Sequence, residues 1–325
     1  MSSTIRQTVE SLLSQTYQNF IIHIVDNAST DETVAIVEKI GDPRLIVHRH
    51  DANIGAEGNF TRCMKLAGGS YTCIFHADDV YSNEMVETQV LWLNANKHIE
   101  AVFSQVETIN DGSMVTGHID MIPAINAGEV REYSFLELFK GLLRYRNRLV
   151  ISSLMVRTFV FTDYILTWGD GRFKSASDVD MYLRLARRCA IGVIGRRLMQ
   201  YRIGQNQFSH KIRNRLTRPD FFLVMDAYLH ENNALLTQSD FDHYRWLDRH
   251  DRVARALNAA SQGNTDLVKQ LLENCLSVDA LRAAFSGRTG SVTLLAAIIL
   301  KSMSNLGLLK YSGELIRWAK AKKWN

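Results

Sequence analysis

Strands and helices alternate over the first eighty residues, and this alternation limits the possible folds more than any other feature of the chain. Phe20 to Val25 is a nearly all-apolar run, Arg44 to Arg49 reads as a second strand, and Tyr71 to Val80 begins as a third. Apolar residues at helical spacing predict helices between them, over Glu32 to Ile40 and Gly58 to Leu66. The pattern predicts an α/β fold whose sheet is parallel, with right-handed crossovers.

The composition is that of a globular protein. With 325 residues, 46% of them hydrophobic, the chain can bury a sizeable core and has room for a domain with an appendage. Its four cysteines lack metal-binding spacing and suit a reducing cytosol. No apolar leader opens the sequence and no stretch reaches the roughly 20 apolar residues of a spanning helix, so we expect a cytoplasmic protein. The net charge of +4 is mild, and we expect no nucleic-acid partner.

Two adjacent carboxylates, Asp78 and Asp79, follow the third predicted strand. Ligands of open α/β sheets bind at the carboxyl ends of the strands. Neighbouring like charges favour a divalent cation between them and a polyanion, since Mg²⁺ and Mn²⁺ take carboxylate oxygens together with substrate phosphates. For an isolated pair of aspartates a plainer interpretation is favoured, in which Asp79 caps the helix beginning near Asn83 and Asp78 is solvated. The surrounding motifs shift this balance.

Four motifs occur in order along this part of the chain. They are S-L-L-S-Q-T-Y-Q-N-F, V-D-N-A-S-T-D-E-T, N-I-G-A-E-G-N and A-G-G-S-Y-T-C-I-F-H-A-D-D. Together they resemble the family 2 glycosyltransferases, and the resemblance extends from about Ser2 to Ser209. It implies a GT-A fold, with a Rossmann-like, mostly parallel sheet flanked by helices, a half that binds a nucleotide sugar and a half that binds an acceptor.

The resemblance also implies roles for particular residues in binding the nucleotide-diphosphate sugar. Asp26 would contact the base, and Asn53 would belong to the same binding site. Asn27 stands where the family usually has a second acid, but its amide can still hydrogen-bond a uracil or thymine edge. Asp78 would lie near the ribose or the metal, and Asp79 would be the metal ligand, with Mn²⁺ or Mg²⁺ as the cofactor.

A second acidic segment, Phe173 to Ala186, resembles the family motif that opens a helix. The resemblance implies that Asp178 is the general base, which takes the proton of the acceptor hydroxyl while the anomeric carbon is attacked. A helix cap formed by Ser177 or Asp178 is the structural alternative, and the two roles are compatible. Asp180 and Arg184 are four residues apart, and this spacing predicts an intrahelical ion pair.

Two further features of the sequence are basic. Arg202, after a predicted strand over Ile191 to Tyr201, resembles the closing segment of the family and would reach the diphosphate. Arg144 to Arg148 is a basic segment with two open interpretations, a solvated loop or a contact with an anionic acceptor or headgroup.

The start of the chain departs from the family pattern. Family members normally open with a strand that ends in a Pro-x-Tyr-Asn-like turn and holds the base, whereas this sequence begins inside the first predicted helix. Three explanations stay open: a start codon placed too late, a truncated gene, or a real loss of the strand. A missing strand would expose a sheet edge and remove part of the base pocket.

The predicted organisation is a GT-A domain over residues 1–212 and a helical region over 213–325. From Ser291 onward six lysines and arginines stand against one glutamate, a net charge of +5, and Val292 to Leu300 is strongly apolar. This composition suits an interfacial helix, so residues 291–325 would contact a membrane surface. A final core helix with a solvated basic end is an equally open alternative.

The sequence therefore predicts a metal-dependent, inverting glycosyltransferase, cytoplasmic or peripheral on the inner face of the membrane. It would transfer a sugar to a hydroxyl of a carbohydrate or lipid-linked acceptor, in surface polysaccharide or glycolipid synthesis. Sugar-nucleotide synthesis is disfavoured because no Gly-rich phosphate loop precedes Phe20. A degenerate transferase domain that only binds is the remaining alternative, and the four retained acids argue against it.

Overall fold

The computed structural model describes residues 1–204, 214–276 and 288–309. The chain divides into two compact units, Met1–Gln205 and Asn206–Asn325. The boundary predicted between residues 212 and 213 lies outside the described residues, as does a helix that the sequence pattern predicts over 278–285.

The N-terminal unit begins with the alternation that the sequence predicts. In chain order its first elements are α1 Ile5–Leu13, β1 Ile22–Asp26, α2 Thr33–Glu38, β2 Leu45–Arg49, α3 Gly55–Lys65, β3 Tyr71–Cys73, β4 Val80–Tyr81 and α4 Met85–Ala95. The remaining elements are β5 Ala101–Ile109, β6 Val115–Ile119, β7 Val130–Tyr133, α5 Phe135–Tyr145, a 3-10 turn Ile151–Ser153, β8 Met155–Arg157, a π-helical turn Val160–Tyr164, a 3-10 turn Lys174–Ala176, α6 Ser177–Arg188 and β9 Ile191–Arg202.

The strands form two sheets. β1 and β2 pair in parallel, with Ile22 opposite Leu45, and among the described strands they pair only with each other. The second sheet has seven strands, with the path β3-β8-β5-β9-β4 and with β6 and β7 attached to β5 and β9. Strand β3, which leads toward the paired carboxylates, is one end of this path.

The expectation of a mostly parallel sheet needs correction. In the seven-stranded sheet only β5 and β9 pair in parallel, and the other pairings are antiparallel, so the sheet is mixed. The strict strand–helix alternation ends near Ile109: β6, β7 and β8 follow turns or loops, whereas β9 again follows a helix, α6. β8 follows a 3-10 turn and inserts antiparallel between β3 and β5, a placement that local patterns of sequence do not encode.

Helix α1 holds the segment that carries the acids. The hydroxyl of Thr8 donates to the main-chain oxygen of Asp79 at 2.7 Å. The side chain of Gln15 donates to the main-chain oxygen of Ser82 at 2.7 Å and accepts from the nitrogen of Val86 at 3.0 Å. Buried apolar residues of α1 pack against both sheets: Ile5 and Val9 join a cluster with Ile24 of β1, and Leu12 joins the core of the larger sheet.

The described part of the C-terminal unit is helical. Its elements are α7 Asp220–Asn232, a 3-10 turn Asn233–Leu235, α8 Gln238–Ser261, α9 Thr265–Leu272 and α10 Arg288–Asn305. Apolar side chains of α8, α9 and α10 share one core, which includes Ala256, Leu271 and Leu300. No helix among the described residues is long and apolar enough to span a bilayer.

Candidate functional site

Asp79 is the most deeply buried of the predicted site residues, with no exposed side-chain surface. Its Oδ2 accepts a hydrogen bond of 2.7 Å from the hydroxyl of Ser152, and its Oδ1 accepts one of 2.9 Å from the main-chain nitrogen of Arg202. Burial raises the pKa of the Asp79 carboxyl to about 7, against these two hydrogen bonds, which lower it. A neighbouring cation would favour the ionised form of such a carboxyl.

His76, Asp78 and Asp79 form a candidate metal centre. One ligand atom from each residue lies within 4.8 Å of the other two. The Nε2 atom of His76 is buried and has no hydrogen-bond partner among the described residues, and Nδ1 lies 3.8 Å from Oδ2 of Asp79. Burial lowers the pKa of His76, which favours the neutral imidazole that metals bind. An imidazole with an unused nitrogen beside two carboxylates is a donor set that fits a divalent ion.

Arg202 ends β9 directly beside the acids and is 3% exposed. Its Nε donates to the main-chain oxygen of Asp78 at 2.8 Å. Its terminal nitrogens donate to the main-chain oxygen of Asn110, the hydroxyl of Ser113 and the Oε1 of Gln7, at 2.8, 3.1 and 2.9 Å. In this structure the guanidinium group therefore holds the acid segment and the β5–β6 turn, while its contact with a nucleotide stays a prediction.

Asp178 lies in the first turn of α6, as the sequence predicts. It is partly buried, and burial raises the pKa of its carboxyl to about 6. The Nδ2 atom of Asn147, just beyond α5, is 3.4 Å from its Oδ2. The predicted ion pair of the same helix is confirmed, with the Nε of Arg184 2.8 Å from an oxygen of Asp180. A carboxyl group with a pKa near 6 is ionised at neutral pH and can accept a proton.

Tyr201 lies close to both the candidate base, Asp178, and the acids of the candidate metal centre. Burial, together with the charges of Asp79, Asp78 and Asp178, raises the pKa of its phenol to about 12. One tyrosine of β9 is thus close enough to all three acids to respond to their charge. The structure therefore brings these acids, which are about 100 positions apart in sequence, into the surroundings of one side chain.

Asp26 and Asn27 lie elsewhere, at the end of β1. The side chain of Asp26 is 8% exposed and accepts from the main-chain nitrogen of Ser29 at 3.1 Å. Helix α3 approaches from the other side, where Arg62 donates to the main-chain oxygen of Asp26 at 3.1 Å. The carboxylate of Asp26 thus sets the turn after β1 and has a fixed position.

Asn27 and Asn53 form an amide clamp on the loop before α3. The Nδ2 atom of Asn27 donates to Oδ1 of Asn53 at 3.0 Å and to the oxygen of Gly55 at 3.2 Å. Its Oδ1 accepts from the nitrogen of Ile54 at 2.9 Å. Both ends of the Asn27 amide are in use, so an acid at this position could not make the same contacts.

Sequence reasoning missed His76 and Ser152. His76 stands two residues before Asp78, and this H-x-D-D spacing is a signal that could have added it to the metal candidates. Ser152 comes from a 3-10 turn 73 positions after Asp79, and no local pattern connects the two.

A protein-family model matches part of the chain. Residues 2–158 match the profile described as glycosyl transferase family 2. The match covers the elements from α1 to β8, including both the clamp and the metal candidate, and it ends before Asp178.

Curated relatives share part of the chain. UDP-Glc:alpha-D-GlcNAc-diphosphoundecaprenol beta-1,3-glucosyltransferase WfaP of Escherichia coli is 35% identical over 132 residues, which are 40% of this chain and 51% of that protein. WfgD of the same organism, described with the same activity, is 29% identical over 34% of this chain and 44% of its own length. The chain spans about half the length of these relatives.

Similarity to solved structures extends over more of the chain than similarity to the curated relatives does. Staphylococcus aureus TarS 1-349, in complex with UDP-GlcNAc, superposes with a TM-score of 0.57 and covers 94% of this chain and 88% of its own. The sequence identity is 18%, so this likeness shows the fold alone. It confirms the predicted GT-A class, with the mixed sheet described above.

Proposed function

We propose that this chain, which belongs to glycosyl transferase family 2, transfers a sugar from a nucleotide-diphosphate sugar to an acceptor hydroxyl with inversion at the anomeric carbon. One observation carries the proposal: Asp178, a carboxyl whose pKa is about 6, lies near the same tyrosine as the paired acids Asp78 and Asp79. A proton acceptor beside a cation-binding group is the arrangement that glycosyl transfer from a diphosphate needs.

The donor would bind between the polar residues at the end of β1 and the candidate metal centre. Asp26, Asn27 and Asn53 would hold the nucleoside, and Asp78 would face the ribose or the metal. The names of WfaP and WfgD give UDP-Glc as their donor, and TarS was solved in complex with UDP-GlcNAc. A UDP-sugar is therefore the donor we propose first.

A divalent ion would be held by Asp79, with Asp78 and His76 as further donors. When bound, the ion supplies positive charge to the departing diphosphate. An imidazole among the ligands favours Mn²⁺ over Mg²⁺, which prefers a set of oxygens.

The chemical step is a single displacement. The acceptor oxygen forms a bond to the anomeric carbon as the bond from that carbon to the diphosphate oxygen breaks. The carboxylate of Asp178 takes the proton of the acceptor hydroxyl, and the bond electrons leave with the nucleoside diphosphate. Attack from the face opposite the leaving group inverts the configuration.

The acceptor we propose is a sugar on a polyprenyl diphosphate, the acceptor class named for WfaP and WfgD. The enzyme would work on the cytoplasmic face of the membrane, in surface polysaccharide or glycolipid synthesis. Large aliphatic side chains on the outer side of α10 support contact with lipid: Val292, Leu295 and Ile299 are 59, 58 and 49% exposed. Their spacing of three and four residues makes one stripe on the helix.

The direct test is transfer from a set of radiolabelled UDP-sugars to synthetic polyprenyl-diphosphate-linked sugars, with Mn²⁺ or Mg²⁺ present. We expect a product with inverted anomeric configuration by NMR. The alternative, a transferase fold that only binds, predicts ion-dependent UDP binding with no product from any donor and acceptor pair.

A further inference from the structure

Helix α3 touches both halves of the proposed site. At its first turn the clamp from Asn27 reaches Gly55, and further along Asn59 donates to the main-chain oxygen of Val25 at 3.2 Å. Another face of the helix contacts the segment that leads into α6. The hydroxyl oxygen of Thr61 accepts from the nitrogen of Trp168 at 3.0 Å.

Glu57, in the first turn of α3, makes the central contacts to this segment. Its Oε2 accepts from the main-chain nitrogen of Gly171 at 3.0 Å, and its Oε1 accepts from the hydroxyl of Ser177. The carboxylate also fills the space beside Gly169, where an added Cβ would lie 2.9 Å from Oε1. A larger residue at position 169 would therefore displace this carboxylate.

Two aromatic rings and a left-handed turn support the same contact. Phe60 stacks on Trp168 with ring centroids 4.3 Å apart. Gly171 has a φ of +80°, a conformation that favours glycine, and Lys174 has a φ of +35°. A segment with such a backbone needs contacts from outside to hold one conformation. Ser177, which is 3% exposed, immediately precedes Asp178.

We propose that Glu57 is a positioning residue for the transfer reaction, which fixes the segment 167–177 and thereby the start of α6 that carries Asp178. This inference rests on the proposed function, because it assigns Glu57 to the placement of the base. A carboxylate fits the role because both of its oxygens meet donors. A glutamine would turn an N–H group toward one of these two donors.

The alternative explanation is purely local. An acid in the first turn of a helix is favoured by the helix dipole, typically by 0.3–1 kcal/mol. That role would affect the stability of α3 alone. It would leave the conformation of residues 167–177 and the rate of transfer unchanged.

The test compares Glu57→Gln with Glu137→Gln. Glu137 is a matched control because its carboxylate also accepts two hydrogen bonds, from the nitrogen and hydroxyl of Ser134 at 2.9 and 2.7 Å, in the capping box of α5. Hydrogen exchange of residues 167–178 is measured in both variants and in the wild type. We expect at least tenfold faster exchange there in Glu57→Gln and wild-type rates in Glu137→Gln.

Kinetics supply the second readout. For Glu57→Gln we expect kcat to fall at least tenfold while the KM of the donor changes less than twofold, and Glu137→Gln to retain the wild-type kcat. Adding Ser177→Ala to Glu57→Gln should lower kcat little further, since both changes break the same hydrogen bond between Ser177 and Glu57. Wild-type exchange at 167–178 in Glu57→Gln overturns the inference even if the wild-type protein proves to have no transferase activity. A wild-type kcat in this variant, measured in an active enzyme, overturns it as well.

Discussion

The main-chain nitrogen of Arg202 donates a hydrogen bond of 2.9 Å to Oδ1 of Asp79, while Oδ2 of the same carboxylate accepts from Ser152. These bonds join the acid to the end of β9 and to the 3-10 turn before β8. These two hydrogen bonds thus fix the position of the Asp79 carboxylate in the core. These contacts give the residue a role in stability, which can be separated by experiment from the ion binding that we propose for it.

Replacing Asp79 by alanine tests both roles. The change leaves two buried donors without an acceptor, each of which typically costs about 1–3 kcal/mol of unfolding free energy. If Asp79 is an ion ligand, the Mn²⁺-dependent affinity for UDP should fall by more than about 100-fold. A residue that only supports a ligand typically causes a loss of 10–100-fold. Calorimetric titration of UDP with and without Mn²⁺, together with a denaturant curve, measures the two effects.

Ser152→Ala is the matched control for this variant. It removes one of the two hydrogen bonds but keeps the carboxylate of Asp79. We expect it to lower the unfolding free energy and to weaken ion-dependent binding of UDP by roughly 10–100-fold, less than Asp79→Ala does. An unchanged UDP titration in Asp79→Ala would rule out the metal assignment.

Asp178→Asn should separate binding from chemistry. The amide keeps the shape of the side chain but cannot take a proton, so we expect UDP binding to remain and transfer to fall by at least about 100-fold, within the usual range for a general base. In the wild type, kcat should fall below about pH 6, because the base must be ionised and its pKa is raised to about 6. A pH–rate profile of both proteins measures this limb. Full turnover by the variant excludes Asp178 as the base.

The same substitution should make the protein more stable at alkaline pH. The folded-state pKa of Asp178 lies above the reference value of 3.8, so ionisation opposes folding and stability is lost as pH rises through about 6. The difference corresponds to on the order of 3 kcal/mol at pH 8. We expect Asp178→Asn to gain stability at pH 8 and to match the wild type near pH 3, as measured by urea unfolding. An equal effect at both pH values would contradict the assignment.

Local patterns predicted those parts of the site that depend on neighbours in sequence. Asp178 was placed at the start of a helix from its motif, and the pair Asp180 and Arg184 follows from helical spacing alone. The end of β1 at Asp26 agrees closely with the predicted apolar run. In each case the structure is determined by residues that are close together in sequence.

Long-range contacts explain what the sequence did not reveal. Ser152 reaches Asp79 across 73 positions, and Glu57 reaches Ser177 across 120. The mixed sheet has the same origin, since β8 joins β3 and β5 only after a long excursion of the chain. No periodicity or spacing encodes which distant segments will meet, so these features needed the three-dimensional structure.

Asn27→Asp should loosen the loop before α3. The new carboxylate would face the Oδ1 of Asn53 and the oxygen of Gly55, two acceptors that Asn27 now satisfies as a donor. We expect a loss of about 1–3 kcal/mol in unfolding free energy, with a higher KM for the donor. Asn94→Asp is a suitable control, because the side-chain oxygen of Asn94 accepts from Tyr71 and Lys97 and an acid can do the same. Equal effects of the two changes would contradict the clamp.

Changes at His76 test the donor set of the metal candidate. If His76 is a ligand, His76→Ala should weaken Mn²⁺ activation by more than about 100-fold, beyond the range for a residue that only supports a ligand. His76→Asp should shift the preference toward Mg²⁺, since it replaces a nitrogen donor by oxygen. Transfer rates are measured against the concentration of each ion. His98→Ala, at a residue on the surface, is the control. An unchanged ion preference in His76→Asp would exclude the imidazole from the ion site.

The outer stripe of α10 should govern binding to lipid. Leu295 and Ile299 are about half exposed, so their full burial in a bilayer interface is worth on the order of 2 kcal/mol for the pair, or about thirtyfold in partitioning. We expect Leu295→Glu with Ile299→Glu to lower sedimentation with vesicles of phosphatidylcholine and phosphatidylglycerol by that factor. The opposite side of the helix is buried at Ala297 and Leu300, so the change should leave the core intact.

Leu235→Glu is the matched control for the stripe, because Leu235 is 55% exposed in the same unit but belongs to the turn after α7. It should bind vesicles as the wild type does. The net charge of +5 after Ser291 further predicts weaker binding when phosphatidylglycerol is omitted. If the wild type ignores vesicles but elutes as a dimer that the double variant converts to a monomer, the stripe is an interface between two copies of the chain instead.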